Sequence, residues 1–572
     1  MKSAFFKRFQ LVILIGVLLA VTLPFIGQAV HHDAHQWVHF AKQGLEHPLW
    51  HHIPDYDYFG VNYPENSYHD THPRLHSLYL SMWLAITGSL AETALHLEML
   101  LFPLLAVLAM YFIARRFGVN AFIATLLFIL APAYLVANHL IMIDVPGTTF
   151  WLLATAFYLK GIDDDRLAYL LAGALCLSLG VLTYYQDLSL LPLLFVYLLL
   201  SRRISPKTII ALSIPVVVFL AFASAHYAYY GAPPRFTYNT VVQPMDLDSI
   251  LVRIRGAITL VGGVIIFPLA ALLVFTGRRW IRLASAGVLV VTGAWAAVNY
   301  LNGSYSADNV LLLPWLMAAG TAILLYILRR FFNALPLTLV DAGGGDDVFL
   351  GLWFLGVFFY NSILLPYSSS RFILPLLAPV VIYAVREMEK LWGDSRKRMR
   401  TGTAVVAGLT LALSLGIAIG EHQRANVHPV ETEWALENYP PDGHVWFLGG
   451  LGFQYYMEQE GYRMAMVDGE GIETGDYIIE SRNNRWYFNK SFTYRLELVE
   501  EVVYPQEWPL VTEYLENRTS WLGRIGMVIP YGFLGDNRDI LYIYRVAEPD
   551  RLSNSAVLRM AGVSWPFSRF YP

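Results

Sequence analysis

The chain is 572 residues long, 56% hydrophobic and only 15% charged, with a mean hydropathy of +0.46, which places most of it in lipid rather than in a soluble domain. Its net charge of −4 is small for this length, and no basic cluster with interleaved aromatics occurs, so nucleic-acid binding is excluded. The single cysteine, Cys176, lies inside an apolar run, so no intrachain disulfide can form.

Lys2, Lys7 and Arg8 precede an apolar stretch from Leu11 to Ile26. This could be a signal peptide ending near Gly27-Gln28-Ala29, but the charge asymmetry described next requires it as a retained first helix. A hydrocarbon core of about 30 Å needs about 20 apolar residues per helix, and that rule predicts about thirteen spans. They centre on 10–29, 97–114, 119–137, 145–161, 167–184, 188–201, 208–228, 256–276, 283–300, 310–328, 348–364, 372–386 and 401–420. Cytoplasmic ends collect Lys and Arg, and with the N-terminus inside, every inner connection carries such residues, among them Arg115, Arg116, Arg202, Arg203, Arg278, Arg279, Arg329, Arg330 and Arg386. The outer loops hold only Lys42, Arg74, Arg235, Arg253, Arg255 and Arg371. An odd number of spans, with the N-terminus cytoplasmic and the C-terminal part extracytoplasmic, is the economical solution for a multi-pass protein of the plasma (inner) membrane.

The first outer loop, 30–92, is unusual. Ten of the sixteen histidines fall between Val30 and His76, and Asp33 follows the first span by only a few residues. A carboxylate is thereby set at a membrane surface. Ala34, Trp37, Val38, Ala41 and Leu45 recur at helical spacing, which predicts a short amphipathic helix along the interface, and a second is predicted over Leu75 to Ile86. The stretch from His47 to Asp70, rich in Pro, Tyr, Asn and Asp, reads as irregular loop, and the Gly343-Gly344-Gly345 stretch as a flexible connector.

After Gly420 the composition turns charged and turn-forming. Val445 to Leu448, Arg463 to Val467, Tyr477 to Glu480, Tyr494 to Val503 and Ile540 to Val546 read as strands, with a helix from Phe453 to Glu460. The expected fold is therefore a polytopic α-helical membrane domain over 1–420 and a small α/β extracytoplasmic domain over 421–572. Gly449-Gly450-Leu451-Gly452 follows a strand but does not complete the dinucleotide pattern Gly-x-Gly-x-x-Gly, so it reads as a tight turn.

Ionisable groups at membrane depth are costly and hence functional candidates; on the outer side these are Asp33, Asp144, Asp187 and Arg371. Asp33 with Gln36 also fits a capping box, and Asp144 and Asp187 could each cap the helix that follows. Two carboxylates facing one outer cavity suit glycosyl transfer from a lipid phosphate, one acting as general base on an acceptor hydroxyl. The phosphate leaving group needs cations, for which Arg74, Arg253, Arg255 and Arg371 are the candidates. His31, His35 and His39, at i, i+4 spacing, offer a weaker metal alternative; a divalent metal held jointly by Asp33 and the lipid phosphate is another.

An acid just after the first span, the element His72-Pro73-Arg74-Leu75 before a surface helix, Asp144 opening the fourth span and Ser370-Arg371-Phe372-Ile373-Leu374-Pro375 entering a late one together resemble the GT-C superfamily of membrane glycosyltransferases. The nearest groups are the protein O-mannosyltransferases and the lipid A aminoarabinose transferases. The resemblance implies a polyprenyl-phosphate-linked sugar donor, a lipid, glycan or protein acceptor, an inverting mechanism at the outer membrane face, Asp33 as base, Asp144 as second acid, and His72 with the arginines at the lipid phosphate. Departures are Ala34 where many relatives have Glu, Arg74 where they have a second Pro, and Thr183-Tyr184-Tyr185-Gln186 where they have Lys. A transporter or flippase of lipid-linked sugars is the competing class; the odd span count and the lack of a detectable inverted repeat weigh against it.

Overall fold

A computed structural model of the protein describes residues 2–48, 56–58, 61–63, 72–231, 233–234, 247–265, 278–341, 345–365, 367–466, 469–482, 494–514, 519–521, 528–533 and 538–549. Most of the expected loop 47–70, the later half of the expected span 256–276, Arg235 and residues 342–344 of the glycine connector lie outside these. Contacts divide the chain into two compact units, neither continuous in sequence: 1–28, 70–421 and 508–536 form one, and 29–69, 422–507 and 537–572 the other. The expected boundary at 420 thus changes in two places. Residues 29–69 group with the C-terminal part, and 508–536 group with the helices.

The first unit is helical. Among the described residues, six helices are long and apolar enough to cross a membrane: Glu92–Arg116, Pro206–Tyr230, Arg279–Leu301, Ala307–Thr338, Gly345–Leu364 and Arg396–Asn438, the last of which continues past Glu421 into the second unit. Shorter apolar helices include Phe9–Phe25, Ala121–Leu130 and Leu167–Thr183. The expected span 119–137 shows why fewer meet the length. Asn120 caps its start by accepting from the Ile123 amide, but Ala131 turns extended before Pro132 and a separate helix, Pro132–Ala137, follows. Proline disfavours helical backbone in the residue before it.

Close backbone packing joins Leu247–Gly263 to Ala307–Asp341. A Cβ at Gly262 would meet the Leu316 carbonyl oxygen, and one at Gly320 the Ile258 carbonyl oxygen, so both positions require glycine. Described residues from 508 to 533 pack against these helices: Trp508 Nε1 donates to the Gly416 carbonyl at 2.7 Å, the Phe533 amide to Asp308 at 2.9 Å, and Val528 and Ile529 pack with Ala296, Leu313 and Leu316.

The helix Asp144–Asp164 and its neighbour Leu167–Thr183 form a hairpin. At its turn, acidic and basic loop ends from several helices meet. Asp163 binds Arg116 at 2.9 Å and Arg203 at 2.8 Å, Asp165 binds Lys207 at 2.7 Å, Asp347 binds Arg330 and Arg386, and Arg116 also pairs with Asp346. Arg116, Arg203, Lys207, Arg330 and Arg386, from four of the basic loops singled out by sequence, are therefore gathered at one end. Asp144 lies at the other end of its 21-residue helix, about 30 Å away at 1.5 Å per residue.

Strands β1 Tyr56–Tyr58 and β2 Val61–Tyr63 pair in the first loop and β7 Glu513–Tyr514 with β8 Thr519–Ser520 in the helical unit, while the second unit is built on a five-stranded mixed sheet of order β4-β3-β5-β9-β6, with β3 Val445–Leu448, β4 Arg463–Met464, β5 Tyr477–Ser481, β6 Tyr494–Tyr504 and β9 Asp539–Pro549. Strand β3 pairs in parallel with β4 and β5, while β9 is antiparallel to β5 and β6. All four residues of β3 are buried: Val445 and Phe447 pack with Phe453, Met457 and Ile479 on one face, Trp446 and Leu448 with Ile472 and Ile478 on the other. Burial on both faces explains why this strand reads as a continuous apolar run. The helices Ala34–Glu46 and Leu75–Thr87 form where the amphipathic periodicity placed them.

Gly320→Val is expected to lower stability by about 1–3 kcal/mol, the usual cost of overpacking, read as a reduced melting temperature in detergent. Gly287→Ala, whose Cβ would meet nothing within 4 Å, is the control and should leave melting unchanged.

Candidate active site

In the helical unit the site gathers around Asp144. This residue is 3% exposed and is the first residue of its helix; the preceding Ile143 holds the cap position, so Asp144 is not a side-chain cap. Arg371 Nη1 lies 3.9 Å from Asp144 Oδ2 and donates to Met142 Sδ at 3.7 Å. Tyr184, at the end of the hairpin's second helix, is buried within the electrostatic reach of Asp144, Arg371, Tyr360 and Tyr367. Gly147, one turn along from Asp144, leaves room for the Tyr184 ring, which a Cβ there would touch at 3.0 Å. The His72 ring meets Tyr184 edge-on at 5.6 Å. Asp144, Arg371 and His72, expected from sequence, are thus brought together.

The backbone that carries Arg371 is fixed by two buried amides. Gln186 Nε2 and Asn361 Nδ2 each donate to the Phe372 carbonyl at 3.0 Å, and both side chains are almost wholly buried. Asn361 reaches it because Gly345–Phe359 ends in a π-turn over Tyr360–Leu364, a local widening of the helix. One residue before Arg371, Ser370 donates through its amide and its hydroxyl to the Trp521 carbonyl. The remaining cations are held differently. Arg253 donates to the Leu365 carbonyl at 3.2 Å, at the start of the stretch leading to Arg371, while its own carbonyl accepts from Ser368 at 3.0 Å. Arg74 donates to Tyr230 Oη at 2.5 Å and stacks on that ring, and Arg255 lies over Trp295. Asp187 is buried against Gly180 in a 3₁₀ turn rather than capping the helix after it, where Ser189 holds the cap position.

Asp33 lies in the second unit. It occupies the cap position of Ala34–Glu46 and is half-buried, but its side chain makes no capping hydrogen bond, so the expected capping box with Gln36 is not formed. The residues before it are firmly held. The Ala29 amide donates to Asn426 Oδ1 and the Val30 amide to Tyr456 Oη, each at 2.9 Å, and Arg424 Nη2 lies 2.8 Å from His32 Nε2. Gly452, in the strand-to-helix turn expected from sequence, admits the Val30 carbonyl and the His31 Cα where a Cβ would clash. His32 has φ +53°, a left-handed conformation unfavourable for a residue with a Cβ.

The histidine triad is corrected: His31 precedes the helix, so only His35 and His39 share its face, and among the described residues the three do not form a group of convergent ligand atoms. Burial pushes His35 down to about 4, and burial with repulsion from His35 and Lys42 does the same to His39. Neutral imidazoles at neutral pH fit a packed, structural role.

Residues 71–229 match the family described as dolichyl-phosphate-mannose-protein mannosyltransferase, a range that includes His72, Arg74, Asp144 and Tyr184. Comparison with curated protein sequences finds no match. ArnT from Cupriavidus metallidurans, solved bound to undecaprenyl phosphate, is similar in structure over 93% of this chain and 97% of its own, with TM-score 0.50 and 13% identity. The chain shares the fold of that protein, and its long apolar helices are those of a multi-pass membrane protein. Similarity also extends to archaeal AglB from Archaeoglobus fulgidus, in complex with an inhibitory peptide and a dolichol-phosphate (TM-score 0.42, 11% identity, 80% of this chain and 56% of that one). The S. cerevisiae Pmt1-Pmt2 complex bound to its sugar donor matches over 40% of this chain and 35% of that one (TM-score 0.31, 17% identity).

Gln186 and Asn361 gave little sequence signal beyond being amides in apolar surroundings, which is itself a functional flag in a membrane segment. Gln186→Leu or Asn361→Leu leaves Phe372 with one donor, whereas the double variant strands a buried carbonyl. The expected cost is about 1–3 kcal/mol for the double variant and clearly less for either single one, measured as non-additive shifts in a double-mutant cycle.

His35 and His39 take up protons near pH 6.5 when unfolded and near 4 when folded. Between those values the unfolded chain binds more protons, so stability is complete above pH 6.5 and falls as pH drops toward 4, by about 3 kcal/mol for the deeply buried His35. The fall in melting temperature from pH 7 to pH 5 should shrink in a His35→Gln, His39→Gln variant.

Proposed function

We propose that this protein is an inverting glycosyltransferase that moves a sugar from a polyprenyl-phosphate carrier to an acceptor hydroxyl at the outer face of the plasma membrane. The observation that carries the reading is the buried Asp144–Arg371 pair, framed by Tyr184 and His72, in a chain of GT-C fold. Such a pair offers an anchored guanidinium to a phosphate and a carboxylate that keeps it oriented.

In the reaction the acceptor oxygen attacks the anomeric carbon while the bond from that carbon to the phosphate oxygen breaks. The polyprenyl phosphate leaves with the bonding electrons, and Asp33 takes the hydroxyl proton. The charge growing on the departing phosphate is met by Arg371, with His72, Arg74, Arg253 and Arg255 as further donor contacts. Asp144 orients the acceptor or a divalent metal. The membrane arrangement that agrees with the charge pattern has about thirteen spans, the N-terminus cytoplasmic and residues 421–572 chiefly extracytoplasmic; clustering of the basic loop ends around Asp163 and Asp347 supports it.

The test is turnover of labelled polyprenyl-phosphate sugars by the purified chain over a panel of lipid, glycan and protein acceptors, with and without chelator. Asp33→Asn should fold normally and lose about 10²–10⁴-fold in rate, the range of a general base. Arg371→Ala should weaken use of the donor more than that of the acceptor. Undiminished transfer by Asp33→Asn would remove the base assignment.

A further inference from the structure

We propose that the second unit contains a site for one divalent cation of the zinc class, formed by His428, Glu431 and Asp539. His428 and Glu431 sit three residues apart on one face of the helix Val427–Asn438, and Asp539 opens strand β9. Each offers a ligand atom within 4.8 Å of those of the other two. All three side chains are buried, His428 at 2% exposure and the two acids at 0%. His428 Nδ1 and Glu431 Oε2 are 3.3 Å apart, about the separation that two ligands adopt around one tetrahedral ion with bonds near 2.0–2.1 Å.

Buried polar atoms at this point lack hydrogen-bond partners. Glu431 interacts with His428 and with the Ser481 hydroxyl, yet its Oε1 has no hydrogen-bond partner in a fully buried position. Tyr504, opposite Asp539 in the β6–β9 register, has a buried hydroxyl that likewise lacks a partner. Tyr504 lies within electrostatic reach of both acids. Two carboxyl groups in this buried position can both be ionised only with a positive charge between them. A buried ion without compensation costs several kcal/mol.

One imidazole and two carboxylates are a donor set that zinc accepts, leaving a fourth position for the Tyr504 hydroxyl or a water. The ion's role is structural: it ties the helix Val427–Asn438 to the strand that closes the sheet. It also braces the stretch before Asp33, because His428 borders the place where Gly452 receives the Val30 carbonyl.

The experiment uses the purified full chain, stripped with chelator and then dialysed against zinc chloride, with bound zinc counted by mass spectrometry and melting temperature recorded. Wild type should retain one equivalent more than His428→Ala, Asp539→Asn or Glu431→Gln, and zinc should raise its melting temperature by more than that of each variant. Glu431→Gln is the decisive variant, since the neutral isostere keeps the shape of the core. If Glu431→Gln binds as much zinc as wild type, or if it melts higher than wild type with no response to zinc in either protein, the acids share a proton instead and the site does not exist.

Discussion

The helical unit depends on one carbonyl. Phe372 C=O sits where a backbone break in a membrane-embedded bundle would otherwise leave an unpaired acceptor, and Gln186 and Asn361, from two different segments, both supply it. Without that convergence the residues between Tyr367 and Leu374 would have no reason to hold an irregular path in apolar surroundings. With it, Arg371 is presented beside Asp144 by backbone constraint rather than by its long side chain. On the proposed reading, preorganisation of this kind would suit Arg371 to charge developing on a phosphate, because little reorganisation would be left for the moment of reaction.

The same helices carry two opposite kinds of polar end. Around Asp163 and Asp347 the ion pairs are partly exposed, with several side chains a fifth to nearly a half accessible, and each is worth little on its own. Around Asp144 the polar groups are mostly buried, and Gln186 and Asn361 among them donate to a backbone carbonyl. A surface that merely finishes a helix bundle can tolerate the first arrangement. The second keeps polar groups out of water and so costs more to build.

Much of this architecture was legible in the chain. The helices Ala34–Glu46 and Leu75–Thr87 followed from apolar spacing, and strand β3 from its four-residue apolar run, since these signals are local. The polarity and position of Asp144 and Arg371 marked them before their pairing was known. What sequence hid was non-local: the exchange by which 29–69 joins one unit and 508–536 the other, and the π-turn that aims Asn361. Ten clustered histidines suggested ligands, but among the described residues His31, His35 and His39 do not bring ligand atoms to one point. Gly452 looked like part of a turn, and only the approach of Val30 explained why no other residue would serve there.

The return of residues 508–536 to the helices has a bearing on biosynthesis. Trp521 secures the strand of chain before Arg371, and Val528 and Ile529 fill a groove between two helices made some two hundred residues earlier. A ribosome that has released every apolar segment has therefore not yet completed the bundle, and the last pieces arrive only after strands β3 to β6 have been translated. Nascent chains halted in that interval would expose an apolar cleft, which ties quality control of this protein to the packing of Trp521, Val528 and Ile529 as well as to membrane insertion.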